Sequence, residues 1–335
     1  MKNRINTKKT ILIFVLLFIL IIAIDVIFMK DYSFNAHYSK MDTVIDISGY
    51  GSDMDRATRD ILKAIDEIDL KMNIHNVKSN LYALNKNKKA DYDKDTAELI
   101  SISEEIRKKS DGAFNIAVRT ISEEWGFGTD FPAVPNEDKI KKAIETVNGT
   151  EIGISADAFT LNQGKIDLGG IAKGFATDKA KEILASYKEI DYAVLNFGGN
   201  ILTYGKKPDG SKFKIGINDG KDGVFATISV DNAFIITSGG YERYFEQDGK
   251  KYHHILDPKT GYPAQTGLVS VTIISDNGAL ADALSTACYV LGAEKGTELA
   301  ESYGVKAVFL DENNNVYIVG DVEIELVSTE YKIIK

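Results

Sequence analysis

The chain has 335 residues, 44% of them hydrophobic and 27% charged, with 28 Gly and 5 Pro; this allows a full core and excludes collagen-like, low-complexity and largely disordered classes. One cysteine, Cys288, and four histidines exclude a disulfide framework, a multi-cysteine zinc or iron–sulfur site and a histidine-rich metal cluster. The net charge is -9, yet Lys2, Arg4, Lys8, Lys9 and Lys30 against Asp25 give residues 1–30 a charge of +4, so the remainder carries -13 and is too acidic for nonspecific nucleic-acid binding.

Residues 11–24 are apolar without interruption, and residues 26–29 extend the run beyond Asp25. Such a run behind four basic residues predicts a single-pass membrane segment with a cytoplasmic N-terminus, which places the body on the extracytoplasmic side. No small-x-small cleavage site and no lipid-accepting cysteine follows it, so an uncleaved signal anchor over residues 1–30 is favoured over a cleaved signal peptide. Residues 31–40 are polar and read as a short stalk, leaving 41–335 as one folded body.

Residues 41–48 alternate as a strand does, and Tyr50-Gly51-Ser52 marks a turn. Residues 53–71 carry apolar side chains at helical spacing. Residues 79–85 lie in a polar connection rich in Lys and Asn. A second helix spans about residues 95–109 and stops at Ser110-Asp111-Gly112, where Gly can adopt the left-handed conformation that closes a helix. Pro132 and Pro135 punctuate a loop before a helix over residues 137–148. Residues 158–161 and 165–168 read as paired strands, and Gly169-Gly170 turns into a helix over 171–185. Short runs at 192–196, 200–205, 212–218, 225–230 and 233–238 read as an antiparallel meander. A last helix covers 279–291, and 307–310 with 316–318 form a hairpin. Long antiparallel runs with interspersed helices, and no linker or repeat, predict an α+β body that is mixed but largely antiparallel.

Several clusters can carry chemistry. Asp167-Leu168-Gly169-Gly170-Ile171-Ala172-Lys173-Gly174 ends a strand in a Gly pair that opens a helix, so backbone N–H groups and the Lys173 ammonium could meet a pyrophosphate. A tight strand-to-helix connection with a solvated Lys is the plainer reading, and the Gly spacing is not that of the dinucleotide fingerprint. Asp282 and Thr286 stand at i and i+4 of an Ala-rich helix and offer two hard oxygen ligands to Mg²⁺, unless they are merely solvated. Within Tyr252-His253-His254-Ile255-Leu256-Asp257-Pro258-Lys259-Thr260-Gly261-Tyr262-Pro263 the Pro and Gly residues impose a rigid turn. Adjacent histidines in an extended segment point to opposite faces, so His254 is the candidate base and His253 is structural or exposed. Residues 112–115 and 125–128 combine Gly with aromatics, suited to a planar ligand or to core filling, and residues 196–200 form a Gly-bent connection.

Taken in order, these stretches resemble the ApbE family of FAD:protein FMN transferases. The matching segments are Met41-Asp42-Thr43, 79–85, 112–118, 125–128, 167–174, 196–200, Thr237-Ser238-Gly239, 254–263 and 281–286. The resemblance implies a tunnelling-fold-like body that binds FAD and Mg²⁺, splits the pyrophosphate, transfers FMN to a Ser or Thr hydroxyl of an exported or membrane partner protein, and releases AMP. By position, it implies that FAD is held by Met41, Tyr82, Ala113, Phe114, Asn115, Asp167, Lys173 and the backbone near Ile255. It likewise implies that Mg²⁺ is held by Asp282, Thr286 and the Gly170 carbonyl. Asn115 stands where the family usually has Asp, and no segment here matches the family's usual target pattern. Two alternatives remain at this level: an FAD pyrophosphatase, in which water replaces the protein hydroxyl, and a noncatalytic flavin-binding protein. The second has no need of Asp282, Thr286 and Lys173 together.

Overall fold

Alternating apolar and polar residues build a nine-stranded sheet whose spatial order follows the chain: β1 (Ser33–Lys40), β2 (Thr43–Tyr50), β3 (Tyr192–Phe197), β4 (Asn200–Gly205), β5 (Phe234–Gly239), β6 (Leu268–Ser275), β7 (Lys306–Asp311), β8 (Asn315–Val319) and β9 (Lys332–Ile334). Neighbours from β2 to β8 pair antiparallel, and β8 pairs parallel with β9. This is a computed structural model, and it describes residues 32–221 and 223–334. The expected membrane segment, residues 11–29, lies outside the described residues; among those described, no helix is long and apolar enough to cross a membrane.

The central strands are buried on both faces. Along β5, Phe234 and Ile236 join the larger core while Ile235 between them joins a second one, and Ala307, Val308, Phe309 and Leu310 of β7 alternate in the same way. The larger core lies under helices α1 (Met54–Met72), α2 (Asn80–Asn87), α3 (Lys94–Lys109), α4 (Arg119–Trp125), α5 (Glu137–Asn148), α6 (Ala172–Ser186) and α7 (Gly278–Ser302). The smaller core lies under a three-stranded sheet formed by Phe213–Asn218, Val224–Val230 and Ile324–Leu326. Each fully buried Ile or Phe of these layers contributes on the order of 1.5–3 kcal/mol. α1 shows the logic of the helices: Met54, Ala57, Ile61, Ile65, Ile68 and Met72 form one buried stripe.

Several expectations are corrected. Residues 33–40 are the edge strand of the sheet and not a stalk, because Phe34 and Tyr38, on one face of the strand, pack against the core. Residues 80–87 form a helix, α2, capped by the Ser79 hydroxyl on the Tyr82 N–H at 2.9 Å and anchored by buried Leu81 and Leu84. Residues 165–168 form no strand, since the Ile166 backbone exchanges both of its hydrogen bonds with the Asn85 side chain amide at 2.8 Å. Strand Ala158–Leu161 pairs instead with Ile152–Ile154 and Lys89–Asp91. The meander departs from the main sheet after β4 to form the hairpin Phe213–Asn218 and Val224–Val230. The helix expected to end at 291 does change there, because Gly292 (φ 82, ψ 178) interrupts α7 before its last turns.

α6 and α7 approach most closely where two glycines meet. A Cβ on Gly174 would collide with the Gly278 carbonyl oxygen and lie 2.7 Å from the Asp282 Cβ. Asp178 of α6 accepts the Gly278 and Ala279 N–H groups at 2.6 and 2.7 Å, capping the start of α7 from its neighbour. Gly174→Ala should therefore push the helices apart, destabilise the protein by about 1–3 kcal/mol and lower its melting temperature. An unchanged melting temperature would show that this crossing can relax without cost.

Candidate active site

Where α6 and α7 cross beneath β4 and β5, a cleft of about 870 Å³ opens, within the size range of small-molecule sites. Its lining gathers segments distant in sequence: the β1–β2 turn at Met41, the 113–118 segment, the start of α6 with Lys173, the β3–β4 turn, the end of β5, the 241–243 and 254–258 segments, and Asp282 with Thr286 of α7. Of the residues singled out from the sequence, Met41, Ala113, Phe114, Asn115, Asp167, Gly170, Lys173, His254, Ile255, Asp282 and Thr286 line it. Tyr82 does not; it sits half-buried on α2 with Lys86 near its ring.

Turns place these groups. Met41 and Asp42 have φ of 53 and 55, the left-handed pair that closes a two-residue hairpin. Gly198 and Gly199 have φ of 61 and 92 between β3 and β4, and the Asn196 side chain accepts the Gly199 N–H at 2.9 Å. Asp167 accepts the Gly169 N–H at 2.8 Å and so shapes the turn into α6. The Asn115 side chain oxygen is likewise engaged, accepting the Ala117 N–H at 2.9 Å.

Asp282 is 4% exposed and has no ion-pair partner among the described residues. Burial pushes its carboxyl above the usual range, against the pull of the Lys173 charge, the Gly174 N–H at 2.8 Å and the Asn200 amide. Asn200 is 1% exposed, and neither polar atom of its side chain completes a hydrogen bond, although the amide lies beside Asp282. The Thr286 hydroxyl is held at 3.3 Å from Ser238 Oγ, which also meets Ser285 Oγ at 2.8 Å. Gly170 lies across from Thr286, with the Phe114 ring beside it. The buried Asp282 carboxyl and the fixed Thr286 hydroxyl, with Gly170 beside Thr286 and an Asn200 side chain left without a hydrogen bond, offer hard oxygens that fit Mg²⁺.

The two histidines diverge. The His253 ring donates from Nε2 to the Ala264 carbonyl at 3.0 Å and meets Tyr289 edge-on at 5.6 Å, a structural role. The His254 ring places Nδ1 at 3.1 Å from the Arg243 carbonyl. A carbonyl only accepts, so Nδ1 carries the hydrogen and the neutral ring keeps its lone pair on Nε2. Protein atoms enclose the ring while part of its surface still faces the cleft, and this burial pushes its pKa down to about 4. His254 is therefore a neutral base at neutral pH.

Glu242 and Arg243 line the cleft without any signal in the sequence, because no local pattern marks two charged residues after a strand end. Glu242 presents its side chain to the open cleft yet sits deep among protein atoms, and this burial raises its pKa against the attraction of Lys173. The Arg243 guanidinium donates to the Asp42 carbonyl at 3.3 Å and ties this segment to the β1–β2 turn.

A sequence profile of the ApbE family matches residues 41–309. This chain belongs to the ApbE family. It is 39% identical over 225 residues to the FAD:protein FMN transferase of Treponema pallidum, an alignment covering 61% of this chain and 62% of that protein. The FAD:protein FMN transferase of Klebsiella pneumoniae is 32% identical over 226 residues, covering 66% of this chain and 70% of that protein. The crystal structure of the ApbE protein of Thermotoga maritima superposes with a TM-score of 0.77 at 31% identity, covering 87% of this chain and 96% of that one. The matched residues 41–309 of the ApbE family contain every group described above that lines the cleft.

Proposed function

We propose that this ApbE-family chain transfers the FMN half of FAD to a Ser or Thr hydroxyl of an exported or membrane protein and releases AMP. The body would act outside the cytoplasm behind the N-terminal anchor. The observation that carries this reading is the convergence of Lys173, Asp282, Thr286 and His254, from three separate segments, on a single cleft large enough for a dinucleotide-sized substrate.

In this reading, charge assigns the roles. The start of α6 offers its positive end and the Lys173 ammonium to the pyrophosphate, while Met41, Ala113, Phe114 and Ile255 present apolar surface and backbone to the flavin. Asp282, Thr286 and the Gly170 carbonyl would hold Mg²⁺, with the Asn200 amide beside the Asp282 carboxylate. Bound there, Mg²⁺ supplies positive charge to the pyrophosphate oxygens. His254 Nε2 takes the proton from the acceptor hydroxyl as its oxygen forms a bond to the FMN phosphorus. The bond from that phosphorus to the bridging oxygen breaks, and AMP leaves with the oxygen. Two features favour this over flavin storage: a buried carboxyl with no ion-pair partner among the described residues and a neutral histidine at the same cleft have no use in holding a flavin ring alone.

The test is incubation with FAD, Mg²⁺ and exported proteins, followed by mass measurement of the proteins and assay of AMP. The expected result is FMN covalently attached to a Ser or Thr. Free FMN and AMP formed equally fast with and without protein acceptors would favour a pyrophosphatase.

A further inference from the structure

Beside the cleft, a groove of about 350 Å³ runs between residues Phe127, Gly128, Thr129 and Pro132 on one side and residues 242–245 on the other. It is continuous with the cleft, because Phe127, Gly128, Glu242 and Arg243 line both. Its second wall leads into strand Tyr244–Gln247, which among the described residues pairs only with Lys250–His253, in a two-stranded sheet. Among the described residues, no strand pairs with the opposite edge of Tyr244–Gln247.

The hairpin register says which backbone groups that edge presents. Asp248 and Gly249, at φ of 53 and 73, close a two-residue turn between the paired residues Gln247 and Lys250. In such a hairpin the pair flanking the turn is hydrogen-bonded and the pairs alternate from there. Phe245 then bonds inward to Tyr252, and the His254 N–H donates to the Arg243 carbonyl at 3.0 Å, in step with that alternation. Tyr244 and Glu246 turn their N–H and C=O groups outward, where none has a hydrogen-bond partner among the described residues. An open edge of this kind is a template for a further strand. The edge begins one residue after Arg243, whose carbonyl orients the His254 ring.

Resting on the transferase reading, we propose that the acceptor protein docks by adding an extended segment to the edge of Tyr244–Gln247. Backbone hydrogen bonds to Tyr244 and Glu246 would hold that segment, the groove against Phe127–Pro132 would take its side chains, and its hydroxyl residue would reach His254 where groove and cleft join. Backbone pairing would supply affinity, and the groove would select alternate side chains of the segment.

Glu246→Pro removes one outward N–H while leaving the inward bonds of the hairpin, and Thr129→Trp fills the groove from the exposed loop. Each variant would be incubated with FAD, Mg²⁺ and the exported-protein fraction, covalent flavin being read as fluorescent bands on a denaturing gel and FAD affinity as fluorescence quenching. Labelling should fall at least about tenfold in both variants with FAD affinity unchanged, and Glu246→Ala, which keeps the N–H, should label normally. Normal labelling by Glu246→Pro and by Thr129→Trp, with wild-type labelling intact, would overturn the docking edge alone. Absence of labelled bands with the wild type would overturn the transferase reading, and the docking proposal with it.

Discussion

Replacing His254 by Ala should slow FMN transfer by about 10²–10⁴-fold, the usual size of a general-base contribution. FAD binding should stay near normal, since the ring is positioned by the Arg243 carbonyl and keeps Nε2 free for a proton. His253→Ala is the matched control. That ring is spent on the Ala264 carbonyl and Tyr289, so its loss should lower stability and leave the transfer rate nearly intact. The pH profile gives a separate check. Burial pushes His254 down to about 4, so its base form persists as pH falls through 6.5 and is lost only as pH falls through about 4. A rate limb at pH 6.5 that vanishes in His254→Ala would contradict the enclosed, neutral ring, and equal effects of the two histidine substitutions would remove His254 as the base.

Asp282→Asn should lower Mg²⁺-dependent turnover on the order of 10³-fold while leaving FAD affinity within a few-fold, since several kcal/mol of charge stabilisation rest on that carboxylate. Stability should respond in the opposite sense. Burial raises the folded pKa of Asp282 above 3.8, so its contribution is fully present below the unfolded value and is lost as pH rises through the folded one. The buried Asp282 carboxyl of the metal-free wild type carries a desolvation cost that a neutral Asn lacks. Asn can still accept the Gly174 N–H, so the metal-free variant should melt no lower than wild type and should lose the rise in melting temperature that added Mg²⁺ gives the wild type. A Mg²⁺-induced rise of the same size in both proteins would place the metal elsewhere.

Local pattern carried much of this molecule. Helix α5 is legible to the residue because Ile140, Ala143 and Val147 recur at helical spacing between the Asn136 cap and Gly149. The site residues on α6 and α7 were legible for the same reason, a Gly-bounded helix start and an i, i+4 pair on a buried face. What escaped depends on partners remote in sequence. β6 went unread because its polar positions, Ser270 and Thr272, are buried like the apolar ones, so its pattern does not separate a solvent face from a core face. Residues 165–168 look like a strand, yet an Asn85 side chain replaces the ladder there. β1 reads as polar stalk, and only the packing of Phe34 and Tyr38 reveals it as sheet. Glu242 and Arg243 acquire their place in the cleft from the turn after β5, which no spacing rule marks, and Tyr82 matches a motif while its ring stays outside the cleft lining.

The central claim is that the cleft delivers FMN to a protein hydroxyl and not to water. The most direct measurement is the ratio of protein-bound FMN to released AMP when the protein is given FAD, Mg²⁺ and candidate acceptor proteins, with bound FMN located by mass on the acceptor chain. The account predicts one FMN on a Ser or Thr for each AMP released, and a strong slowing of both in His254→Ala. AMP release matched by free FMN, with no acceptor residue modified, would contradict it.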